Sequence, residues 1–388
     1  MTRVIHTGDT HVGYRQYHSP ERRQDFLDAF ESVVDDSIDH DVDAVVHAGD
    51  LFHDRRPDLP DLLGVLSVLR RLDAADIPFL AIVGNHEATR GSQWLDLFSD
   101  LGLATRLDSE PTLVGDTAFY GLDHVPQSRR DDLEYDFESP PADAEATALV
   151  GHGLFTPFAH ADWDTEAMLD AATVDFDAVL LGDNHVPDRA EVDGTWVTYC
   201  GSTERASADE RDPRGYNIVE FDAATVDIRR RSLDTRPFEF IDVELSEGEG
   251  VDRVLDRVRE YDLADAVAVV SITGDGDPVT PAAIEDAALD EGALLARVTD
   301  HRAVGGDAAE PVADVDFADP DAAVRERVGE MGLSSLGRRL DETVRDDAVA
   351  DSNVRDRVAS AVREAFDEES EAAEQSDDRD QVSMEDFL

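Results

Sequence analysis

The chain has 388 residues and a formal net charge of −56, and all 34 of its basic residues are Arg. Its single cysteine, Cys200, excludes an intrachain disulfide and argues for a cytoplasmic site, and no run approaches the ~20 apolar residues of a membrane span. Acidity of this density argues against nucleic acid in dilute buffer, but in roughly molar salt the Debye length is about 3 Å; a Lys-free acidic surface suits that medium, and a salt-loving archaeal source is expected.

In chain order, the same device recurs five times. Residues 4–8 (VIHTG) read as a short buried strand ending in Gly, followed by Asp9-Thr10-His11. A strand this early leaves no room for a leader peptide. Residues 21–39 carry apolar side chains at helical spacing. Residues 43–49 (DAVVHAG) then deliver Asp50, with His53 behind it. Residues 61–74 form a helix with more leucine and valine than one face requires. Residues 79–84 (FLAIVG) deliver Asn85-His86-Glu87, and a helix is expected over 92–101. Residues 117–123 resume strand character, and 127–146, with Pro140-Pro141, read as a long surface loop. Residues 148–151 (ALVG) deliver His152, and 178–182 (AVLLG) deliver Asp183-Asn184-His185. Strands near 195–200, 216–221 and 225–232 follow in hairpin-like order, so mixed sheets are expected.

Open α/β sheets place ligands beyond the carboxyl ends of their strands. Alone, each loop reads as a turn or helix cap; five in succession argue for metal. Carboxylate, amide and imidazole donors without thiolate suit Mn(II), Fe or Mg better than structural zinc. A pair of ions about 3.5–4 Å apart calls for a shared carboxylate, and Asp50 is the expected bridge. His6 and His47 lie inside strands and read as satisfied core residues. His18, His40, His124, His160 and His301 have no comparable context.

The loop residues resemble the calcineurin-like metallophosphoesterase pattern. Residues 9–26 (DTHVGYRQYHSPERRQDF), 49–53 (GDLFH) and 199–203 (YCGST) further resemble the double-strand-break repair nucleases of the Mre-eleven/SbcD type. The resemblance is strong over about 1–235 and implies an α/β fold: a two-sheet α/β sandwich with a small α/β cap and a helical C-terminal extension. It implies two Mn(II) ions, with Mg or Fe as alternatives. Asp9, His11, Asp50 and His185 match the ligands of one ion; Asp50, Asn85, His152 and Asp183 match those of the other. The family usually has His where Asp183 stands. His86 matches a proton donor or transition-state stabiliser. His53 and Glu87 match supporting positions, and Tyr14, Arg15, Tyr17 and Arg90 lie near enough to meet DNA. The implied activity is 3′–5′ exonuclease and single-strand endonuclease. A phosphatase or nucleotide phosphodiesterase on the same site, and a weakly active clamp for a partner ATPase, remain alternatives.

Residues 236–302 form a second small α/β unit without metal-type residues; by resemblance it is the cap. Residues 303–319 are Gly/Ala/Asp/Pro-rich and read as a linker. Within 320–366, Val354, Val358, Val362 and Phe366 make an apolar stripe that wants a partner; the resemblance implies an SMC-like coiled-coil ATPase of the Rad-fifty/SbcC type. It also implies a homodimer through the helix over 61–74. Residues 367–388 begin as an acidic tail expected to be disordered. They end in Gln381, Met384, Phe387 and Leu388, which resemble the box that docks on the sliding clamp PCNA.

Overall fold

Apolar runs too short for helices become neighbouring strands. β1 (Thr2–Thr7), β2 (Ala44–His47), β3 (Phe79–Ala81) and β4 (Thr105–Arg106) pair in parallel in that order. The crossovers carry α1 (Pro20–Asp39), α2 (Leu59–Ala74) and α3 (Trp94–Asp100). β5 (Thr112–Val114), β6 (Thr117–Leu122), β7 (Ala146–His152), β8 (Ala178–Gly182), β9 (Asp188–Val192) and β10 (Thr195–Tyr199) form a second sheet in the order β5-β6-β7-β8-β10-β9, with α4 (Thr165–Ala171) between β7 and β8. β11 (Gly215–Asp222) and β12 (Thr225–Ser232) return to the first sheet, where β11 lies antiparallel to β1. Both sheets are therefore mixed. This computed structural model describes residues 1–302, Ala224 excepted. The expectations for 303–319, 320–366 and 367–388, including Gln381, Met384, Phe387 and Leu388, fall outside the described residues.

Side-chain alternation builds the layers. Val4 joins Ala44, Val46, Phe119, Val150, Leu180 and Val219 between the two sheets. Its neighbour Ile5 points the other way, to Phe30, Val33, Leu69 and Phe79 under the helices. The outer face of the second sheet packs Tyr120, Phe155, Trp163, Met168 and Phe176. Strands buried on both faces need apolar residues at successive positions, which is why the runs were continuous.

The helices have local reasons for their limits. Ser19 caps α1, its side chain accepting from Arg22 N at 3.1 Å, and Pro20 occupies the first turn. Asp58 and Asp61 form a reciprocal capping box, so α2 begins two residues before 61. α2 buries Val65, Val68, Leu69 and Leu72 but leaves Leu59 and Leu63 67% and 55% exposed. The surplus of apolar residues is thus a second face.

The stretch 127–146 differs from the loop expected. Gln127–Asp132 is a 3₁₀ turn, and Phe137 is buried in the outer core. The Tyr120 hydroxyl donates to the Glu138 carbonyl at 2.9 Å, so this segment covers the second sheet. Short β4 and β5, polar β9 and the seven-residue α4 also carry little periodic signal.

β13 (Phe238–Leu245), β14 (Val267–Gly274) and β15 (Leu295–Asp300) make a parallel three-stranded sheet. α5 (Val251–Val258) and α6 (Pro281–Asp290) supply the crossovers, and Ile241, Val243, Val254, Val270, Ile272 and Ile284 form a separate core. The boundary expected at 235/236 falls between β12 and β13. Among the described residues no helix is long and apolar enough to cross a membrane.

Candidate metal centre

The loops after β1, β2, β3 and β8, and the end of β7, meet at one end of the sandwich. Backbone hydrogen bonds lock the first two together: Asp9 N donates to Gly49 O and His11 N to Asp50 O, both at 3.0 Å. Asp9, His11, Asp50 and Asp183 have φ of 49°, 44°, 57° and 91°. Each left-handed non-Gly residue costs on the order of 1–3 kcal/mol and persists where its surroundings over-determine it. Gly84 explains one close approach, because a Cβ there would collide with the Asp50 carboxylate.

The side chains converge. Ligand atoms of Asp9, His11 and His185 lie within 4.8 Å of one another, and so do those of Asp9, Asp50 and His152. Asp50 Oδ2 is 3.8 Å from His11 Nε2 and 3.6 Å from His152 Nε2, so one oxygen faces both halves. Asp9 belongs to both groups as well. The Asp183 amide donates to both Asp9 oxygens at 3.1 Å, while its own Oδ1 stands 3.8 Å from His152 Nε2. His11 Nε2 and His185 Nε2 face each other at 3.1 Å.

The donor set fits divalent metal. His152 Nδ1 lies 2.7 Å from the Ala48 carbonyl, to which it must donate, leaving Nε2 directed at the cluster. The Asn85 side-chain amide faces both Asp50 oxygens and His152 Nε2. Its Nδ2 can donate to these acceptors, and turned over it offers Oδ1 to a cation. Cys200 is buried with Sγ on the Leu181 carbonyl, and no thiolate enters.

The titration pattern agrees. Burial pushes Asp9 up to about 6, with His185 and His152 pulling it down and Asp50 and Asp183 adding to the rise. Burial lowers His152 and His185, yet both rise to about 9. For His152 the Asp50, Asp183 and Asp9 carboxylates win; for His185 the Glu210 hydrogen bond and Asp9 do. His11 moves the other way, held well below the usual imidazole range by burial and then by His185. Crowded carboxylates recruit protons onto neighbouring imidazoles, and divalent cations would replace those protons.

A family model described as calcineurin-like phosphoesterase matches residues 2–187. A DNA double-strand break repair protein Mre11 of Haloferax volcanii is 68% identical over 372 residues, covering 96% of this chain and 84% of that protein. One of Halobacterium salinarum is 59% identical over 392 residues and covers 100% of both chains. The chain belongs to the Mre11 family. A more distant Mre11 of Methanosarcina acetivorans is 45% identical over 361 residues, 91% of this chain and 59% of that protein.

Around this Mre11-type cluster the remaining expected residues separate. His86 is exposed on the rim, its ring 4.9 Å from that of His11; its amide donates to Asp50 Oδ1 at 2.9 Å, and its Nδ1 is 3.0 Å from the His53 carbonyl. Tyr14 stacks on His53 at 3.9 Å. Glu87 is buried, accepting from Phe52 N at 3.0 Å and Gly84 N at 3.3 Å, and burial followed by the Asp50 charge pushes it up to about 7. Arg15 reaches Asp58, Tyr17 lies under Arg297, and Arg90 is exposed. His47 bonds the Thr10 hydroxyl at 3.0 Å. His6 is buried and neutral, lowered to about 3 by burial, but neither ring nitrogen has a well-formed hydrogen bond among the described residues.

Three residues beside the cluster fall outside the expected set, among them His124, whose sequence context sets it aside. His124 sits edge-on to His152 at 6.0 Å. Asp123 accepts from Val83 N at 2.8 Å, just before the Gly84-Asn85 loop. Both end the strand over 117–122, the same device as the other loops without a Gly directly before the polar pair. Glu210 Oε1 binds His185 Nδ1 at 2.7 Å; no spacing links it to residue 185.

Proposed function

We propose that the chain is a Mn(II)-dependent DNA nuclease acting in double-strand-break repair, cleaving phosphodiesters by a two-metal mechanism. The observation that carries the chemistry is the convergence of Asp9, Asp50, His11, His152 and His185 on one small volume. Asp9, His11, Asp50 and His185 would hold one ion, and Asp50, Asn85, His152 and Asp183 the other. When bound, such ions supply Lewis acidity toward a phosphodiester and activate water for attack.

The chain's own residues supply the rest. Glu87 ties the Asp50 loop to the Asn85 loop through backbone amides of both. His86 Nδ1–H donates a hydrogen bond to the His53 carbonyl, leaving Nε2 as the atom that, in the imidazolium form, would pass its proton to the leaving oxygen. The Tyr14–His53 stack borders a cleft of about 260 Å³ that also includes Arg15 and Arg56; such rings and cations meet bases and phosphates. The small α/β unit of 236–302 serves as a cap. The second face of α2, with Leu59 and Leu63, and the exposed Leu97 of α3 and Leu101 just beyond it support a homodimer. An SMC-like ATPase would engage residues 320–366, and the clamp PCNA the C-terminal box. A cytoplasmic location follows from DNA as substrate.

The test is digestion of 3′- and 5′-labelled duplex DNA with Mn(II) in concentrated salt, with His86→Ala as control and p-nitrophenyl phosphate as competing substrate. Mn(II)-dependent shortening of DNA, lost in His86→Ala, is expected. Hydrolysis of the small ester with intact DNA would replace the nuclease by a phosphatase.

A further inference from the structure

Residues 204–214 lie between β10 and β11 without regular secondary structure, so side-chain contacts set their shape. At one end they hold a candidate metal ligand. Glu210 Oε1 binds His185 Nδ1 at 2.7 Å, and Oε2 accepts from Ala206 N at 3.0 Å and Arg214 Nη1 at 3.2 Å. Arg214, 1% exposed, also donates to the His185 carbonyl at 3.0 Å.

At the other end the same segment grips β13. Arg211, the next residue after Glu210, forms a two-pronged pair with Asp242 at 2.8 and 2.7 Å and lies 4.9 Å over the Phe240 ring. The Arg205 guanidinium lies 5.2 Å over Phe238, and its Nε donates to the Glu210 carbonyl at 3.0 Å. Fully buried Arg22 backs this seat: it donates to the Arg205 carbonyl at 3.0 Å, pairs with Glu204 at 3.2 Å and lies 4.9 Å over Phe238.

We propose that residues 204–214 couple the seating of the small α/β unit on the sandwich to the orientation of His185, so that one metal site is completed only when that unit is docked. Glu210 and Arg211 are the two ends of the coupling, and Arg205 joins them. If β13 leaves its seat, Arg211 loses Asp242, Arg205 loses the Phe238 face, and the segment carrying Glu210 keeps only local contacts, among them those to Ala206, Arg205 and Arg214. His185 then loses the partner that directs Nε2 inward. Glu210, Arg205 and Arg211 are positioning residues, not catalytic ones. A carboxylate behind a ligating imidazole typically contributes 10–100-fold in metal affinity.

This rests on the reading of His185 as a ligand, so the experiment separates the two. Mn(II) is titrated calorimetrically into the full chain in concentrated salt, with metal-free melting as a check on folding. Wild type should bind two ions and His185→Ala should lose or weaken one. Glu210→Ala should weaken one site about 10–100-fold, with Glu210→Gln, which keeps the acceptor, recovering most of it. Arg205→Met and Asp242→Arg should weaken the same site and spare the other; an exposed pair is worth little, so roughly threefold is expected for Asp242→Arg. Adding Arg211→Asp to Asp242→Arg should restore it. Asp242→Arg is a surface change, both partners being more than half exposed, and reads the coupling even if Arg205→Met unfolds. Two undisturbed ions in His185→Ala would overturn the metal reading and the coupling with it. Wild-type affinity at both sites in Arg205→Met and Asp242→Arg, with Glu210→Ala impaired, would overturn the coupling alone.

Discussion

Asp183 is the residue at which this chain departs from the pattern it resembles, and its two functions separate in the structure. Its amide fixes Asp9, a bond that any residue but proline retains there; its carboxylate faces His152. A carboxylate in place of imidazole adds negative charge, which should hold Mn(II) firmly while reducing its Lewis acidity. Asp183→His should keep nuclease activity, and Asp183→Ala should lose one ion on metal counting. Full occupancy in the Ala variant would remove Asp183 from the ligand set. His86 behaves differently: His86→Ala should bind both ions as wild type does while cleavage falls about 10²–10⁴-fold. Loss of metal in that variant would make His86 a ligand instead of a proton carrier.

At the level of elements, α3 and α2 offer two measurements. Asp96 accepts from Gln93 N at 2.7 Å and from Arg106 at 2.7 Å. Burial raises its pKa, but the Gln93 amide and Arg106 win and leave it below the usual carboxylate range. Its contribution is therefore present above the unfolded pKa near 4 and lost as pH falls through the lower folded value. Asp96→Asn should cost about 1 kcal/mol at pH 7 and much less near pH 2; an equal cost at both would make the effect steric. For the homodimer proposed through α2, Leu63→Glu should leave the melting temperature nearly unchanged and shift sedimentation from dimer to monomer, and a monomeric wild type would end that proposal. An unchanged dimer would assign the exposed face elsewhere. The same elements show what was legible in the sequence. Apolar runs ending in Gly announce β1, β2 and β8 and the ligands beyond them, because buried parallel strands need continuous apolar residues. Glu210 could not be read that way. It reaches His185 because β11 returns antiparallel to β1, a pairing between segments about 210 residues apart that no local spacing encodes. The packed segment over 127–146 was hidden because Phe137 lies among charged neighbours whose composition signals solvent.

For the whole molecule, charge makes stability depend on salt. With a net charge of −56, self-repulsion is screened in concentrated salt and reaches about 30 Å at 0.01 M. Melting temperature should fall steadily as salt is diluted; a rise would contradict the reading of the surface. Mn(II) should oppose the fall by a local route. A ligand at 100 times its Kd stabilises the native state by about 2.7 kcal/mol per site, so added Mn(II) should raise the melting temperature of wild type and much less that of Asp50→Ala. Equal shifts in both would point to nonspecific screening.

The two sheets share the centre between them: the first supplies Asp9, His11, Asp50 and Asn85, the second His152, Asp183 and His185. A polypeptide interrupted during synthesis before residue 152 would carry every donor from the first sheet and none from the second. It would lack three of the seven donors proposed to hold the metal ions. Truncated products of this chain should therefore be harmless to the chromosome, and only a finished sandwich would be armed.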